Sequence, residues 1–235
     1  MRTTGKAFIA AAVVLFGSAG SAQAALLVSG SVGGAPTGVN LDSLDWLSLG
    51  NAGGLSPESG LTINFSGNAQ AVSGSSSGVY AAPYVSGGNA AAFGNPQADG
   101  PNITTYVTAG STGAVAGSAV EILLPGSQLY FGLLWGSVDN YNTLSFYDGA
   151  ALIGSITGAD VVASPNGDQG VNGTLYVNIT STQGFDRVVA TSSQFAFEFD
   201  NISFNQTVPV SEPGMLALLG LGLLGMGMAR VRRRA

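Results

Sequence analysis

An all-β fold, an antiparallel β-sandwich of jelly-roll type, is what this sequence predicts for its body, with an apolar helix at each end. Three observations predict it. Gly numbers 36 in 235 residues while charged residues make up only 9%, a composition suited to short strands joined by many turns. Between residues 25 and 207 no long Gly-free segment repeats apolar residues at i, i+3, i+4 and i+7, so amphipathic helices are missing. In their place stand short apolar or aromatic runs bounded by Gly, Pro, Asp or Asn, which is the signature of strands and turns.

The first element is an address. Arg2 and Lys6 precede ten apolar residues, Ala7–Phe16, and Ala22-Gln23-Ala24 follows. A positive region, an apolar region and an A-x-A site in this order predict a secretory signal peptide over residues 1–24. Signal peptidase would cut after Ala24, so the mature chain would begin at Ala25. A buried helix has no reason to end in A-x-A.

The body, residues 25–207, supplies the strands. Leu61–Phe65 alternates with period two. Ala119–Leu124, Leu129–Trp135, Leu144–Tyr147, Leu152–Ile156, Thr174–Ile179, Phe185–Ala190 and Phe195–Phe204 follow. In the last run Phe195, Phe197 and Phe199 share one face, and Glu198 and Asp200 the other. That alternation predicts a half-buried strand with both carboxylates on its outer face. Asp148-Gly149 between two runs predicts a hairpin turn. Gly67–Gly100, rich in Gly, Ser, Ala and Asn, predicts loop insertions or weakly ordered edge strands. No fixed-period repeat stands out, which disfavours a solenoid.

Charge and composition exclude several functions. Between residues 25 and 210 one basic residue, Arg187, stands against twelve acidic ones, a net of −11. Such a body cannot neutralise a row of phosphates, so nucleic acid is not its partner. The chain has no Cys and no His, which excludes disulfides, thiolate or imidazole metal sites and His-dependent triads. Oxygen ligands remain. Asp139, Asp148, Asp160 and Asp168, with Asn140, Asn142 and Asn166 beside them, are the calcium candidates. They lack an Asp-x-Asp-x-Asp-Gly loop, and Asp and Asn ordinarily make turns; the expectation is a body that folds without a cofactor. Glu58, Glu121 and Glu198 are the glutamates a hydrolase could draw on, but the sequence pairs none of them at glycosidase spacing. Tyr80, Tyr84, Tyr106 and Tyr141 could stack on sugars. Asn64, Asn102, Asn178 and Asn201 start Asn-x-Ser/Thr triplets, which a composition rich in these residues produces anyway.

The last element, residues 208–235, is a second address. Ser211-Glu212-Pro213 is followed by Met215–Ala229, fifteen residues without a charge, and then by Arg230, Arg232, Arg233 and Arg234. As a helix the apolar stretch would span about 22 Å at ~1.5 Å per residue, short of the ~30 Å hydrocarbon core of a bilayer. The arginines stop translocation and leave the body outside. This order resembles the PEP-CTERM sorting signal, with Ser211 in place of the first Pro; a tail of this kind is also called an ice-binding-protein C-terminal segment, a name for the tail alone. The stretch Tyr130–Gly149, with Gly154–Asp160, Asn166–Val171 and Phe197–Ile202, is similar to a family of exosortase-dependent bacterial surface proteins. These resemblances imply processing by an exosortase near Glu212 and Pro213. They also imply an inner-membrane intermediate held by the tail helix, and delivery to the cell surface or exopolysaccharide matrix. The expectation for the body is a structural or interaction role rather than an enzymatic one. A surface carbohydrate-binding module is the alternative, and a secreted hydrolase the third reading.

Overall fold

The computed structural model describes residues 25–31, 34–85, 100–110, 117–170, 172–194 and 196–209. Strands run in the order β1 (Leu26–Ser31), β2 (Asn40–Asp42), β3 (Gly54–Leu55), β4 (Thr62–Ser66), β5 (Gln70–Val72), β6 (Tyr84–Val85), β7 (Gly100–Pro101), β8 (Tyr106–Ala109), β9 (Ala119–Gly136), β10 (Asn142–Asp148) and β11 (Ala151–Thr157). A single helical turn, α1 (Gly158–Val161), precedes β12 (Leu175–Ser192) and β13 (Phe197–Asn205). The class is all-β and antiparallel, as the sequence predicts. The expected signal helix over 1–24 and tail helix over 215–229 lie outside the described residues. So do Ala22, Ala24, Phe195, Ser211, Glu212, Pro213 and the four C-terminal arginines. Among the described residues no helix is long and apolar enough to cross a membrane.

Two strands of 18 residues, β9 and β12, organise the molecule. Their outer halves pair as Leu123↔Arg187 to Ala119↔Thr191, and their inner halves as Tyr130↔Thr180 to Trp135↔Leu175. The first set is flanked by β10 and β11 on one side and by β4 and β3 on the other. The second is flanked by β1 on one side and by β13, β8 and β5 on the other. Sequence runs read as four strands are thus two. The interruption that suggested a break is Pro125-Gly126-Ser127 in β9, opposite register shifts on either side of Phe185 in β12.

Those shifts change which residues face the core. Val120 and Ile122 face it in the outer half of β9, but Phe131, Leu133 and Trp135 do so in the inner half. Even positions give way to odd ones. An inserted residue moves a strand's side chains to the opposite face and bends the strand, so both halves can contribute to one core. Phe146 of β10 meets Phe131 of β9 edge-on at 5.9 Å and Phe185 of β12 at 5.1 Å. The β10–β11 turn forms where Asp148-Gly149 predicts it, with Gly149 at φ 56°, as tight hairpin turns require. The body's one cation, Arg187, braces that end: its guanidinium lies 3.9 Å from the Tyr147 ring centroid and 3.3 Å from Glu121.

Ala25 stands immediately before β1. Its N–H donates to Thr182 Oγ1 at 3.1 Å, so the expected signal cleavage between Ala24 and Ala25 would leave β1 complete.

The inner half is covered on both faces. The segment around β6 and β7 lies over the side of β13 away from the main core, where Val85, Leu134 and Tyr176 form a second apolar cluster. Tyr130 and Tyr176 fill the same side, both bonded to Ser203 Oγ, at 3.1 and 2.6 Å. The half-buried reading of β13 is therefore overturned. Glu198 is 2% exposed and Asp200 is fully buried, because part of the Gly-rich segment read as loop insertion folds back over them.

Candidate functional site

Glu198 forms the floor of the candidate site. It sits on β13 opposite Gly136, the last residue of β9. A Cβ on Gly136 would stand 2.9 Å from Pro83 Cγ and 3.2 Å from Pro83 Cα. The missing side chain therefore lets residues 80–83 lie directly on the sheet. That approach brings the Ala81 N–H to Glu198 Oε1 at 2.9 Å. Beyond Gly136 the chain turns out of the strand through Ser137, a non-glycine residue at φ 41°, and the Ser137 hydroxyl donates to Glu198 Oε2 at 2.7 Å.

The walls come from three segments. Gly78, Val79 and Tyr80 form one; Ser137, Asp139 and Tyr141 form the second; Gly167 and Gln169 form the third; and Ala196 adjoins Glu198. Together they enclose a partly open cavity of about 230 Å³. The Asp139 loop is clamped by glycines. Val138 N–H bonds Gly173 O, and Gly167 N–H bonds Val138 O, each at 3.1 Å. A Cβ on Gly167 would lie 2.6 Å from both carboxylate oxygens of Asp139, and one on Gly158 would overlap the Asp139 carbonyl.

Burial sets the electrostatics. It pushes the Glu198 carboxyl up from 4.5 to about 7, partly offset by its bonds from Ser137 and Ala81, with the neighbouring Asp139 charge adding to the rise. Burial also raises Asp139, offset by the Tyr141 hydroxyl that donates to it. Tyr141 is raised by burial and then by that same bond. Among the described residues no Lys or Arg lines the cavity. Near neutrality the site therefore holds a partly protonated acid beside a second, partly buried carboxyl.

The structure brings together residues that the sequence singled out for different reasons: Tyr80 and Tyr141 for sugar stacking, Asp139 for calcium and Glu198 for hydrolysis. It does not join the calcium candidates to one another. Asp160 caps α1 through Thr157, Asp168 accepts from Gly170 N–H at 2.8 Å, and Asp148 ends β10 at the hairpin. Among the described residues no group of three or more acidic side chains is placed to hold a metal ion. Glu58 accepts from Ser43 and Glu121 pairs with Arg187, both away from the cavity. Tyr106 is buried behind Tyr80 and donates to Gly74 O at 2.6 Å. Asn102, Asn178 and Asn201 are buried, so those three triplets are parts of the fold. Ser137 and Gln169 were not singled out by sequence reasoning. The polar run Ser137–Asn142 after an aromatic strand was the available signal for the first, and Gln169 gave none.

The family model of the PEP-CTERM protein-sorting motif matches residues 209–234, covering Ser211-Glu212-Pro213, the apolar stretch and the four arginines. The chain therefore carries the sorting signal of an exosortase-processed, exported surface protein. Among curated proteins none matches this chain.

Proposed function

We propose that the body is a non-catalytic β-sandwich that serves a structural or interaction role in the exopolysaccharide matrix, delivered there by exosortase. The observation that carries this reading is the sorting motif at residues 209–234. The anionic, Cys-free body between two addresses is what remains to act once both are removed. Signal peptidase and exosortase are its processing partners, and polysaccharide or other matrix proteins its final ones. Between export and sorting, the tail helix over 215–229 holds the chain in the inner membrane.

A binding role suits the cavity better than hydrolysis. Both oxygens of Glu198 already accept bonds from neighbouring protein groups, and the Tyr141 hydroxyl is bonded to Asp139. A general acid must instead reach a substrate oxygen within hydrogen-bond distance. On the same reading the outer and inner halves of β9 and β12, which turn opposite side chains to one core, belong to the two layers of a sandwich with jelly-roll connectivity.

The test is fractionation of the producing cells. The processed protein should sediment with the extracellular polysaccharide and be released when that polymer is degraded. Recovery of the processed form free in the medium, with matrix intact, would contradict the reading. So would turnover of that polymer by the purified protein that disappears in Glu198→Gln.

A further inference from the structure

We propose that the cavity between Tyr80, Tyr141, Asp139 and Glu198 is a binding site for one neutral sugar unit of an extracellular polysaccharide. The inference deepens the matrix role just proposed, and four features of the cavity carry it.

Size comes first. About 230 Å³ falls below the roughly 300–1,000 Å³ of pockets for drug-sized ligands. The cavity takes a single ring rather than a length of chain. Its rim is open at Gly78, where no atom lies within 4 Å of an added Cβ, so a polymer can continue outward from the bound unit.

Charge selects against anions. Two carboxyls line the cavity and, among the described residues, no cation does. Arg187, the body's one basic residue, is engaged with Glu121 and Tyr147. A uronate or sulfated unit would bring its own charge into a low-dielectric space that offers no countercharge.

Charge also disfavours cations. An ammonium ligand needs ionised carboxylates, yet burial favours the neutral acid at Glu198 and opposes ionisation of Asp139. Their hydrogen-bond partners are neutral: a backbone N–H, a serine hydroxyl and a tyrosine hydroxyl.

Polar and apolar surfaces match a sugar ring. Sugar hydroxyls donate and accept; the Gln169 amide offers both kinds of partner, and Asp139, Glu198 and Ser137 keep acceptor lone pairs beside the bonds they already make. Tyr80 and Tyr141 add aromatic surface for the C–H face of the ring. Tyr80 is fixed for this by Tyr106, edge-on at 6.4 Å with an interplanar angle of 75°.

The experiment titrates the full exported chain with methyl glucoside, methyl galactoside and methyl mannoside, alongside glucuronate and ethanolamine, by calorimetry. At least one neutral glycoside should bind in the millimolar range, and neither charged probe should. Val79→Trp fills the cavity from its rim and leaves the bonds to Glu198 in place. It should weaken binding by about tenfold or more with the melting temperature unchanged, and Gln169→Ala should weaken it in the same direction. Three results would overturn the proposal: no neutral glycoside binds, ethanolamine binds in preference, or Val79→Trp leaves affinity unchanged. A chain that fractionates with the matrix yet binds none of the glycosides would fail here alone, leaving the matrix role intact.

Discussion

Ser137 donates its hydroxyl to Glu198 across 2.7 Å from a backbone held at φ 41°. Positive φ is costly for a residue with a Cβ, and here it aims a donor at a buried acid. Ser137→Ala should raise the Glu198 pKa further, since the serine bond is the strongest of those that lower it. Stability should fall by about 1–2 kcal/mol where Glu198 is ionised and by less where it is neutral. Urea unfolding on either side of neutrality, with NMR titration of the carboxyl, checks both statements.

The same carboxyl makes stability depend on pH. Its folded value of about 7 lies above its ordinary 4.5, so the folded state binds its proton more tightly. The stabilisation from this group is present below pH 4.5 and is lost as pH rises to about 7. Unfolding free energy should drop over that window by about 3 kcal/mol, at about 1.4 kcal/mol per pKa unit. Asp139 and Asp200 are raised by burial as well and act in the same direction, while Tyr141, which lines the site, and Tyr106, behind Tyr80, remain neutral there. Glu198→Gln should remove this group's share of the slope, leaving that of Asp139 and Asp200, and make the protein more stable than wild type above neutral pH. A variant with an unchanged slope would place the titration elsewhere.

Gly136 is the position through which the covering segment can be moved. An alanine there meets the Pro83 ring and backbone, so residues 80–83 must shift. Gly136→Ala should break the Ala81–Glu198 bond, hydrate the carboxyl and bring its pKa back toward 4.5. The expected destabilisation is about 1–3 kcal/mol. A crystal structure of the variant with Pro83 unmoved would show that the glycine has another purpose.

Much of the fold was legible in the sequence because period-two alternation and turn chemistry are local signals. Leu61–Phe65, the Asp148-Gly149 hairpin, and Phe197 and Phe199 all emerged near their expected places. The continuity of β9 and β12 was not legible. A proline-glycine interruption reads as a break, and only pairing with a distant strand carries the backbone through it. The burial of Glu198 and Asp200 was misread for a related reason. Alternation shows that one face differs from the other, but not that a Gly-rich segment more than 100 residues earlier lies over the polar face. Gly136, whose missing side chain makes room for it, looks like any other glycine in a chain with 36.

Calcium should matter little. Asp160 and Asp168 are occupied in local hydrogen bonds, and Asp139 is held by Tyr141. Thermal melts in calcium and in chelator should superimpose within error. Loss of all structure on chelation would reveal a metal-dependent fold.

Sorting by the tail is decided by expression of the protein in hosts with and without an exosortase. With the enzyme, the surface form should lack the segment after the Glu212-Pro213 motif. Without it, the intact tail should keep the protein in the inner membrane. Glu212→Ala should block processing, whereas deleting Arg230, Arg232, Arg233 and Arg234 should release uncut protein. Identical mass and identical location in the two hosts would show that the tail is not a sorting signal.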